Sequence, residues 1–281
     1  MATTASPSNF QHIQIRSDSN LATLDLQEIF RYRDLLLTLA DRDIRVRYKQ
    51  TVIGVAWVVL QPLMTSLIFA FVFGVLARLP SEGRPYILFA FSGLLAWNAF
   101  SQTLTRVSFA LVGNVHLVSK VYFPRLILPL AAMASTLVDF VVALVLMFLM
   151  LIFYGVWPGW GLLLLPVWLA VMLVMALGLG LVAAALMVKY RDISHIIPTI
   201  LQLGMYVTPV AWSALIVPGK FRWIFLANPL TGLLNAFRWS LLGEGALSLP
   251  ALAYSTVTAA LFFWCGAIVF KQQERNFADV I

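Results

Sequence analysis

The sequence predicts an all-α integral membrane protein with six transmembrane helices and both termini on the cytoplasmic side. Of its 281 residues, 61% are hydrophobic and only 11% are charged, whereas a soluble domain carries roughly 25% charged residues. Six apolar runs have about the 20 residues that a helix needs to cross a bilayer core. Lys and Arg are also distributed unevenly between the two sets of loops, which is typical of membrane topology.

The transmembrane domain is predicted to occupy residues 52–281 as one unit. Only helices suit the apolar runs, because lipid cannot satisfy open backbone groups and a β-barrel would show short alternating segments. Residues 1–25 are polar and predict a flexible tail without a cleavable signal peptide, so the first span acts as an uncleaved anchor. The predicted spans are 52–77, 86–111, 126–154, 161–188, 194–216 and 250–270.

The orientation follows from the basic residues. Thirteen of the 19 Lys and Arg lie on the side that holds both termini, five lie on the other side, and Arg106 lies within the second span. The basic side is predicted to be cytoplasmic. The net charge of +7 is therefore explained by topology, and no nucleic-acid partner is predicted.

Residues 26–51 predict a cytoplasmic interfacial helix that leads into the first span. At 100° per residue, most polar side chains between 32 and 50 share one arc, and leucines and isoleucine occupy the remainder. A short strand over 44–49 is the alternative, because apolar and basic residues alternate there. The residues of the polar arc are Asp34, Thr38, Asp41, Arg42, Arg45 and Lys49.

The segment 217–249, between spans five and six, predicts two short re-entrant helices. Asn228 suits an N-cap, Pro229 the first helical position and Gly243 the C-terminal stop. The helix between them has about 14 residues and is too short to span a bilayer. An extracellular loop on the lipid surface is the alternative.

The sequence predicts neither an enzyme nor a metal site. It has no Gly-x-x-x-x-Gly-Lys-Ser/Thr phosphate loop, since the pair Gly219-Lys220 is followed by Phe221. The three histidines are far apart in the chain. The loops offer no paired carboxylates for glycosyl transfer, so a membrane-embedded glycosyltransferase is disfavoured.

Asp139 is an acid in the third predicted span. Its insertion costs roughly 2.5–3.5 kcal/mol, and such a residue faces protein or water and has a partner. The simpler interpretation is a hydrogen-bonded anchor between helices. The functional alternative is an ion-coupled secondary transporter or lipid flippase that uses Asp139.

Several motifs occur in order along residues 30–281. They are Arg42-Asp43-Ile44-Arg45-Val46-Arg47-Tyr48-Lys49-Gln50-Thr51 with Gly54, Trp57 and Leu60-Gln61-Pro62; Tyr122-Phe123-Pro124-Arg125; Lys189-Tyr190-Arg191-Asp192; Thr208-Pro209-Val210; and Asn228-Pro229-Leu230 with Phe237-Arg238-Trp239. With this topology, the chain resembles the membrane subunit of ABC exporters of bacterial surface polysaccharides, the family that exports O-antigen, capsule and teichoic-acid chains. Asn235-Ala236 departs from the Glu-Gly that related chains often have.

The resemblance implies a permease subunit in the bacterial cytoplasmic (inner) membrane that moves a lipid-linked polysaccharide. Two copies would form the conduit, and two copies of a separate phosphate-loop ATPase would hold ATP and Mg and drive transport. This chain itself would bind no cofactor. The loop 112–125 would be a short helix seated on the ATPase, with a plain interfacial loop as the alternative.

The resemblance also implies four groups of site residues, and for each aromatic ring an interfacial belt or core position is the alternative. Flat rings suit a conduit in which sugars bind weakly and slide. The ATPase-coupling loop contributes Asn114, Leu117, Val118, Lys120, Tyr122 and Phe123. The cytoplasmic entrance contributes Arg42, Asp43, Arg45, Arg47 and Lys49. Of these, Arg45, Arg47 and Lys49 are candidates for contact with a lipid diphosphate. Channel-lining candidates are Trp57, Phe69, Phe73, Trp97, Asp139, Tyr206 and Trp212, and the outer gate comprises Trp223, Asn228, Pro229, Phe237, Arg238 and Trp239.

Overall fold

A computed structural model describes residues 26–49, 56–213, 216, 219–220, 222–243, 247–274 and 277. The regular secondary structure of these residues is helical. The helices are α1 (Leu26–Arg31), α2 (Arg33–Lys49), α3 (Ala56–Phe69, continued by a π-helical segment Ala70–Leu76), α4 (Tyr86–Phe109), α5 (Val115–Lys120, after a 3-10 turn Val112–Asn114), α6 (Ile127–Phe153), α7 (Leu165–Lys189, after a 3-10 turn Trp160–Leu164), α8 (Ile193–Val207), α9 (Arg222–Ala227), α10 (Pro229–Leu242) and α11 (Leu249–Glu274).

Five of the described helices are long and apolar enough to cross a membrane. They are Ala56–Leu76, Tyr86–Phe109, Ile127–Phe153, Trp160–Lys189 and Leu249–Glu274. Their bounds lie within a few residues of five of the six predicted spans. The beginning of the first predicted span, 52–55, lies outside the described residues.

The fifth predicted span, 194–216, is a shorter helix in the structure. α8 has 15 residues, which is about 22 Å at a rise of about 1.5 Å per residue and less than the roughly 30 Å of a bilayer core. The helix stops because Thr208, with ψ of 139°, is extended and precedes Pro209, whose ring disfavours a helical residue before it. The predicted boundary was therefore too long at its C-terminal end.

α4 lies at the centre of the bundle, and most of its residues are buried. α6 and α7 pack against it, and α11 packs against α7. α7 and α11 approach each other at Gly178 and Gly266. A Cβ on Gly266 would lie 2.1 Å from the Gly178 carbonyl oxygen, so the helices pack backbone against backbone, as small residues allow in membranes.

The segment predicted as an interfacial helix is helical as α1 and α2, and the strand alternative for residues 44–49 was wrong. Asp34, Thr38, Asp41, Arg45 and Lys49 of the polar arc are exposed. Leu39 and Ala40 are buried in a core formed with the adjacent ends of α4, α6 and α7. The amphipathic pattern therefore predicted the helix and the burial of Leu39, whereas Val46, on the predicted apolar side, is exposed.

The caps predicted for the helix after Asn228 are confirmed. Asn228 Oδ1 accepts a hydrogen bond from the Leu230 amide at 3.0 Å, and Pro229 is the first residue of α10. Gly243 ends the helix with φ of 71°, a conformation that favours glycine. α10 is largely buried against α4, α7 and α11.

The glycine contact predicts that Gly266→Ala destabilises the bundle by about 1–3 kcal/mol, since backbone atoms cannot yield to the added methyl group. Heating the detergent-solubilised protein and measuring the monodisperse fraction tests this. Gly159→Ala is the control, because a Cβ there meets nothing within 4 Å. Equal thermal stability of the two variants would contradict the close approach.

Candidate functional site

Four side chains from three helices meet at Asp139, and we name them the Asp139 cluster: Arg47 and Tyr48 on α2, Arg106 on α4 and Asp139 on α6. Arg47 Nη1 donates to Asp139 Oδ2 at 2.6 Å. The Tyr48 hydroxyl and Arg106 Nη2 also donate to this carboxylate. One acidic group thus connects the interfacial helix to two helices of the bundle.

The cluster explains how an acid is tolerated inside α6. The side chains of Asp139 and Arg106 are only 14% and 12% exposed, and a buried charge without a partner costs several kcal/mol. Arg106 Nη1 also donates to Ser135 Oγ at 3.1 Å and to Thr136 Oγ1 at 3.2 Å. Arg106 is therefore held on α6 by three different side chains.

Tyr48 takes part as a hydrogen-bond donor. Burial, followed by the hydrogen bond to Asp139, raises its pKa to about 12. The phenol therefore keeps its proton at neutral pH and donates a hydrogen bond to the carboxylate. With two guanidinium groups and one carboxylate, the cluster carries one net positive charge.

Two cavities adjoin the cluster, and Arg47 and Arg106 line both of them. The first, which we name the bundle cavity, has a volume of about 320 Å³ between α3, α4 and α6. The second, the interfacial cavity, has a volume of about 570 Å³ between α2, α4, the loop after α4 and α6. The two arginines thus form a common wall.

The bundle cavity combines amide groups with an aromatic ring. Gln61 on α3 and Asn98 and Gln102 on α4 line it, together with Trp57. Amides donate and accept hydrogen bonds without carrying charge, and an indole offers a flat apolar face. The amides and the indole suit a hydroxyl-rich ligand, and the charged Arg47, Arg106 and Asp139 form another part of the lining.

α2 also contacts the loop that follows α4. Arg42 Nη2 donates to Asn114 Oδ1 at 2.7 Å and to Asp43 Oδ1 at 2.7 Å. Asn114 Nδ2 in turn donates to the Ala110 carbonyl at 2.9 Å. The loop and the interfacial helix are therefore joined by a short hydrogen-bond chain.

A second buried arginine lies in α10. Arg238 is 2% exposed, donates to the Val210 carbonyl at 2.5 Å and lies 3.9 Å from the centroid of the Phe89 ring. A Cβ on Gly93 would lie 2.1 Å from the same carbonyl oxygen. Arg238 thus fixes the chain after α8 against α4.

Comparison with known proteins gives one family. The family model described as ABC-2 type transporter matches residues 34–242. The chain is 31% identical over 260 residues to the O-antigen export system permease protein RfbA of Myxococcus xanthus, which covers 91% of this chain and 98% of the relative. Two O-antigen export system permease proteins RfbA of Klebsiella pneumoniae are each 26% identical over 252 residues, which covers 88% of this chain and 95% of the relative.

The chain belongs to the ABC-2 transporter membrane family. This confirms the resemblance inferred from the ordered motifs. An ABC-2 permease is a transport subunit, and its several apolar spans make this chain a multi-pass inner-membrane protein. The match runs from α2 to the end of α10 and so includes the Asp139 cluster and both cavities.

Burial divides the predicted coupling residues of this ABC-2 permease into two sets. Val118 and Phe123 are buried in the core beneath α2. Lys120 and Tyr122 are exposed, and Asn114 and Leu117 are half-buried. The buried pair holds the loop on the bundle, and the exposed pair is available to a partner.

The predicted entrance residues lie in two places, the interfacial cavity and the exposed face of α2. Arg42, Asp43 and Arg47 line the interfacial cavity. Arg45 pairs with Asp41 at 2.7 Å on the exposed face of α2, and Lys49 is exposed at the end of that helix.

The channel-lining candidates lie in different environments. Trp57 and Asp139 line the bundle cavity, and Phe69 and Phe73 form a tilted ring pair at 5.6 Å on the α3 side. Trp97 is buried against Gly204 of α8. Tyr206 is exposed, and Trp212 packs edge-on against Phe225 at 4.9 Å.

The outer-gate candidates are mostly structural contacts of α10. Phe237 packs edge-on against Phe140 at 6.2 Å in the core. Trp239 packs against Trp160 at 5.1 Å. Asn228, besides capping α10, donates to Thr208 Oγ1 at 2.9 Å, and the Pro229 carbonyl accepts from Ser255 at 2.5 Å. Trp223 is exposed.

Sequence reasoning did not assign site roles to several residues that the structure brings together. Arg106 and Tyr48 complete the Asp139 cluster, and Gln61, Asn98 and Gln102 line the bundle cavity. A signal was present for the last group, because side-chain amides inside apolar runs need polar neighbours. No spacing rule connects Tyr48 with Asp139, 91 residues away.

Asp139→Asn is predicted to lower stability by about 3–5 kcal/mol, because it leaves the buried Arg106 without its carboxylate. Heating in detergent measures the loss. The control is Asp41→Asn, which removes the partner of Arg45 on an exposed helix face and should lower stability far less, because solvent screens the pair. Adding Arg106→Gln to Asp139→Asn should recover part of the stability, and a further loss would contradict the pairing.

Proposed function

We propose that this chain is the transmembrane subunit of an ATP-driven exporter that moves a lipid-linked surface polysaccharide across the cytoplasmic membrane. The observation that carries the proposal is the likeness to O-antigen export permeases along most of the chain. Among O-antigen, capsule and teichoic-acid chains, an O-antigen type polymer is therefore the first candidate. The uncharged amides and the indole of the bundle cavity support a hydroxyl-rich substrate.

The exposed half of α8 supports a conduit. This half carries a polar stripe at helical spacing, next to an apolar stripe. A polar stripe on a transmembrane helix disfavours contact with lipid, so it faces a polar passage. The polar stripe is His195, Thr199, Gln202 and Tyr206, and the apolar stripe is Ile196, Ile200, Leu203 and Val207.

In this proposal a second copy of the chain completes the conduit. α3 and α8 both pack on α4 and are otherwise poorly covered. The apolar stripe of α8 then contacts the second copy, and the polar stripe and α3 face the passage. α8 and the residues after it make a sixth crossing, α9 and α10 form a re-entrant pair at the outer side, and both termini are cytoplasmic.

A separate phosphate-loop ATPase, in two copies, supplies the energy in this scheme. The exposed Lys120 and Tyr122 form the contact with it. The Arg42–Asn114 hydrogen bond passes movement of this loop to α2.

The ion-coupled alternative finds less support in the geometry. Asp139 accepts hydrogen bonds from two arginines and a tyrosine. Its contact with the buried Arg106 joins α6 to α4, and a carboxylate paired with a buried arginine serves as an anchor between helices.

Tyr122→Ala with Lys120→Ala is predicted to reduce polymer-stimulated ATP hydrolysis of the complex at least about tenfold, since exposed contact residues carry the affinity for the partner. The measurement is hydrolysis by the reconstituted permease and ATPase. Ser119→Ala, on the same short helix, is the control. Normal stimulation in the double variant would contradict the assignment of this loop.

Thr199→Trp is predicted to block polymer export while the dimer persists, because the added ring would fill the passage. Leu203→Trp should instead weaken the dimer. Cell-surface polymer and chemical crosslinking of the two copies are measured together. Val257→Trp, on the exposed face of α11, is the control, and full export by Thr199→Trp would count against the polar stripe as the conduit wall.

A further inference from the structure

We propose that Arg47 and Tyr48, held by Asp139, form a gate between the interfacial cavity and the bundle cavity, and that the loop after α4 opens it through α2. The inference rests on the proposed transport function and assigns a role to residues within it. Asp139 acts as a positioning residue that holds two α2 side chains across the route between the cavities.

The first support is the position of the cluster. Arg47 and Arg106 line both cavities, so these two residues lie between them. Asp139 lines the bundle cavity, and Ser135, one helical turn before it, lines the interfacial cavity. A substrate that passes from one cavity to the other therefore has to displace at least one group of this partition.

The second support is the unequal exposure of the two arginines. Arg106 is bound to Ser135, Thr136 and Asp139 of α6 and is 12% exposed. Arg47 is 38% exposed and belongs to a helix that lies at the edge of the bundle. The partition therefore separates most easily between α2 and Asp139, and the Arg106–Asp139 pair stays in place.

The charge that remains after this separation suits transport of a neutral polymer. The closed cluster carries one net positive charge, from two arginines and one carboxylate. When Arg47 leaves with α2, the remaining Arg106–Asp139 pair is neutral. A pair without net charge, beside the amides of Asn98 and Gln102, gives a cavity wall with no net charge. Such a wall binds sugar hydroxyls weakly.

The connection to the loop is direct. Arg42 donates to Asn114 at 2.7 Å, and Arg42 and Arg47 belong to the same helix, about 7.5 Å apart along its axis at 1.5 Å per residue. A helix is stiff over this length. A shift of the loop at Asn114 therefore moves Arg47 and Tyr48 relative to Asp139.

Thiol labelling in inside-out membrane vesicles that contain the permease with its ATPase tests the gate. Cys265, which is exposed on α11, is first replaced by Ala. Asn98→Cys then reports access to the bundle cavity, and Gln272→Cys at the exposed C-terminal end of α11 normalises for reagent access. The probe is a charged, membrane-impermeant maleimide added without ATP or polymer.

Arg47→Ala with Tyr48→Phe should raise labelling at position 98 about tenfold, since loss of hydrogen bonds to a charged group shifts an equilibrium by at least that factor. This variant keeps the Arg106–Asp139 pair and so preserves the fold. Arg33→Ala, which removes an exposed arginine from the same helix, should leave labelling unchanged. Arg47→Lys, which keeps a positive charge at position 47, should show labelling nearly as low as that of the unmodified chain.

Equal labelling in the double variant and the unmodified chain would overturn the gate. Should the double variant fail to assemble with the ATPase, Tyr48→Phe alone replaces it, and unchanged labelling there would overturn the gate as well. Labelling needs no polymer. A rise in labelling in a protein that exports no polysaccharide would therefore refute the proposed substrate and leave the gate standing.

Discussion

A charge inside a membrane protein needs a partner within the protein, because the surrounding lipid provides neither hydrogen bonds nor an opposite charge. Among the described residues, Asp139 and Arg106 meet this constraint as an ion pair between α6 and α4. Arg238 of α10 is held differently, by the Val210 carbonyl and the Phe89 ring of α4. Both arrangements bring together segments that are far apart in the chain, so they help to determine how the helices pack.

α4 connects the two arrangements. It carries Arg106 near one end and, toward the other, Phe89 and Gly93, which receive Arg238 and the Val210 carbonyl. The close glycine contacts between α7 and α11 add a second rigid pair. These helices form a firm centre, and α2, α3 and α8 are less covered by the rest of the chain. A transport subunit needs this division, because a passage has to change shape while the bundle stays folded. In the proposed exporter, the uncovered helices provide the passage and the interfacial helix provides its control.

The sequence allowed much of the fold to be predicted, since hydrophobic length and helix caps are local properties. Five spans, the amphipathic α2 and the Asn228 and Gly243 caps follow from residues close together in the chain. The end of α8 was placed too far along, although Thr208-Pro209 lies in the run, because apolar composition continues past the residue at which the backbone turns extended. The predicted site residues were harder, because burial separates neighbours such as Tyr122 and Phe123, and spacing alone does not show which one faces the core.

What the sequence by itself determined is the class of protein: an apolar, helical, multi-pass chain without a phosphate loop, with motifs of an exporter subunit. What only the tertiary structure decided is which polar residues meet. The sequence left the partners of Asp139 open, and the structure places Arg47, Tyr48 and Arg106 around it. The physical reason is that composition and periodicity depend on neighbours along one helix, whereas the partners of a buried charge come from helices far apart in sequence and depend on how those helices pack.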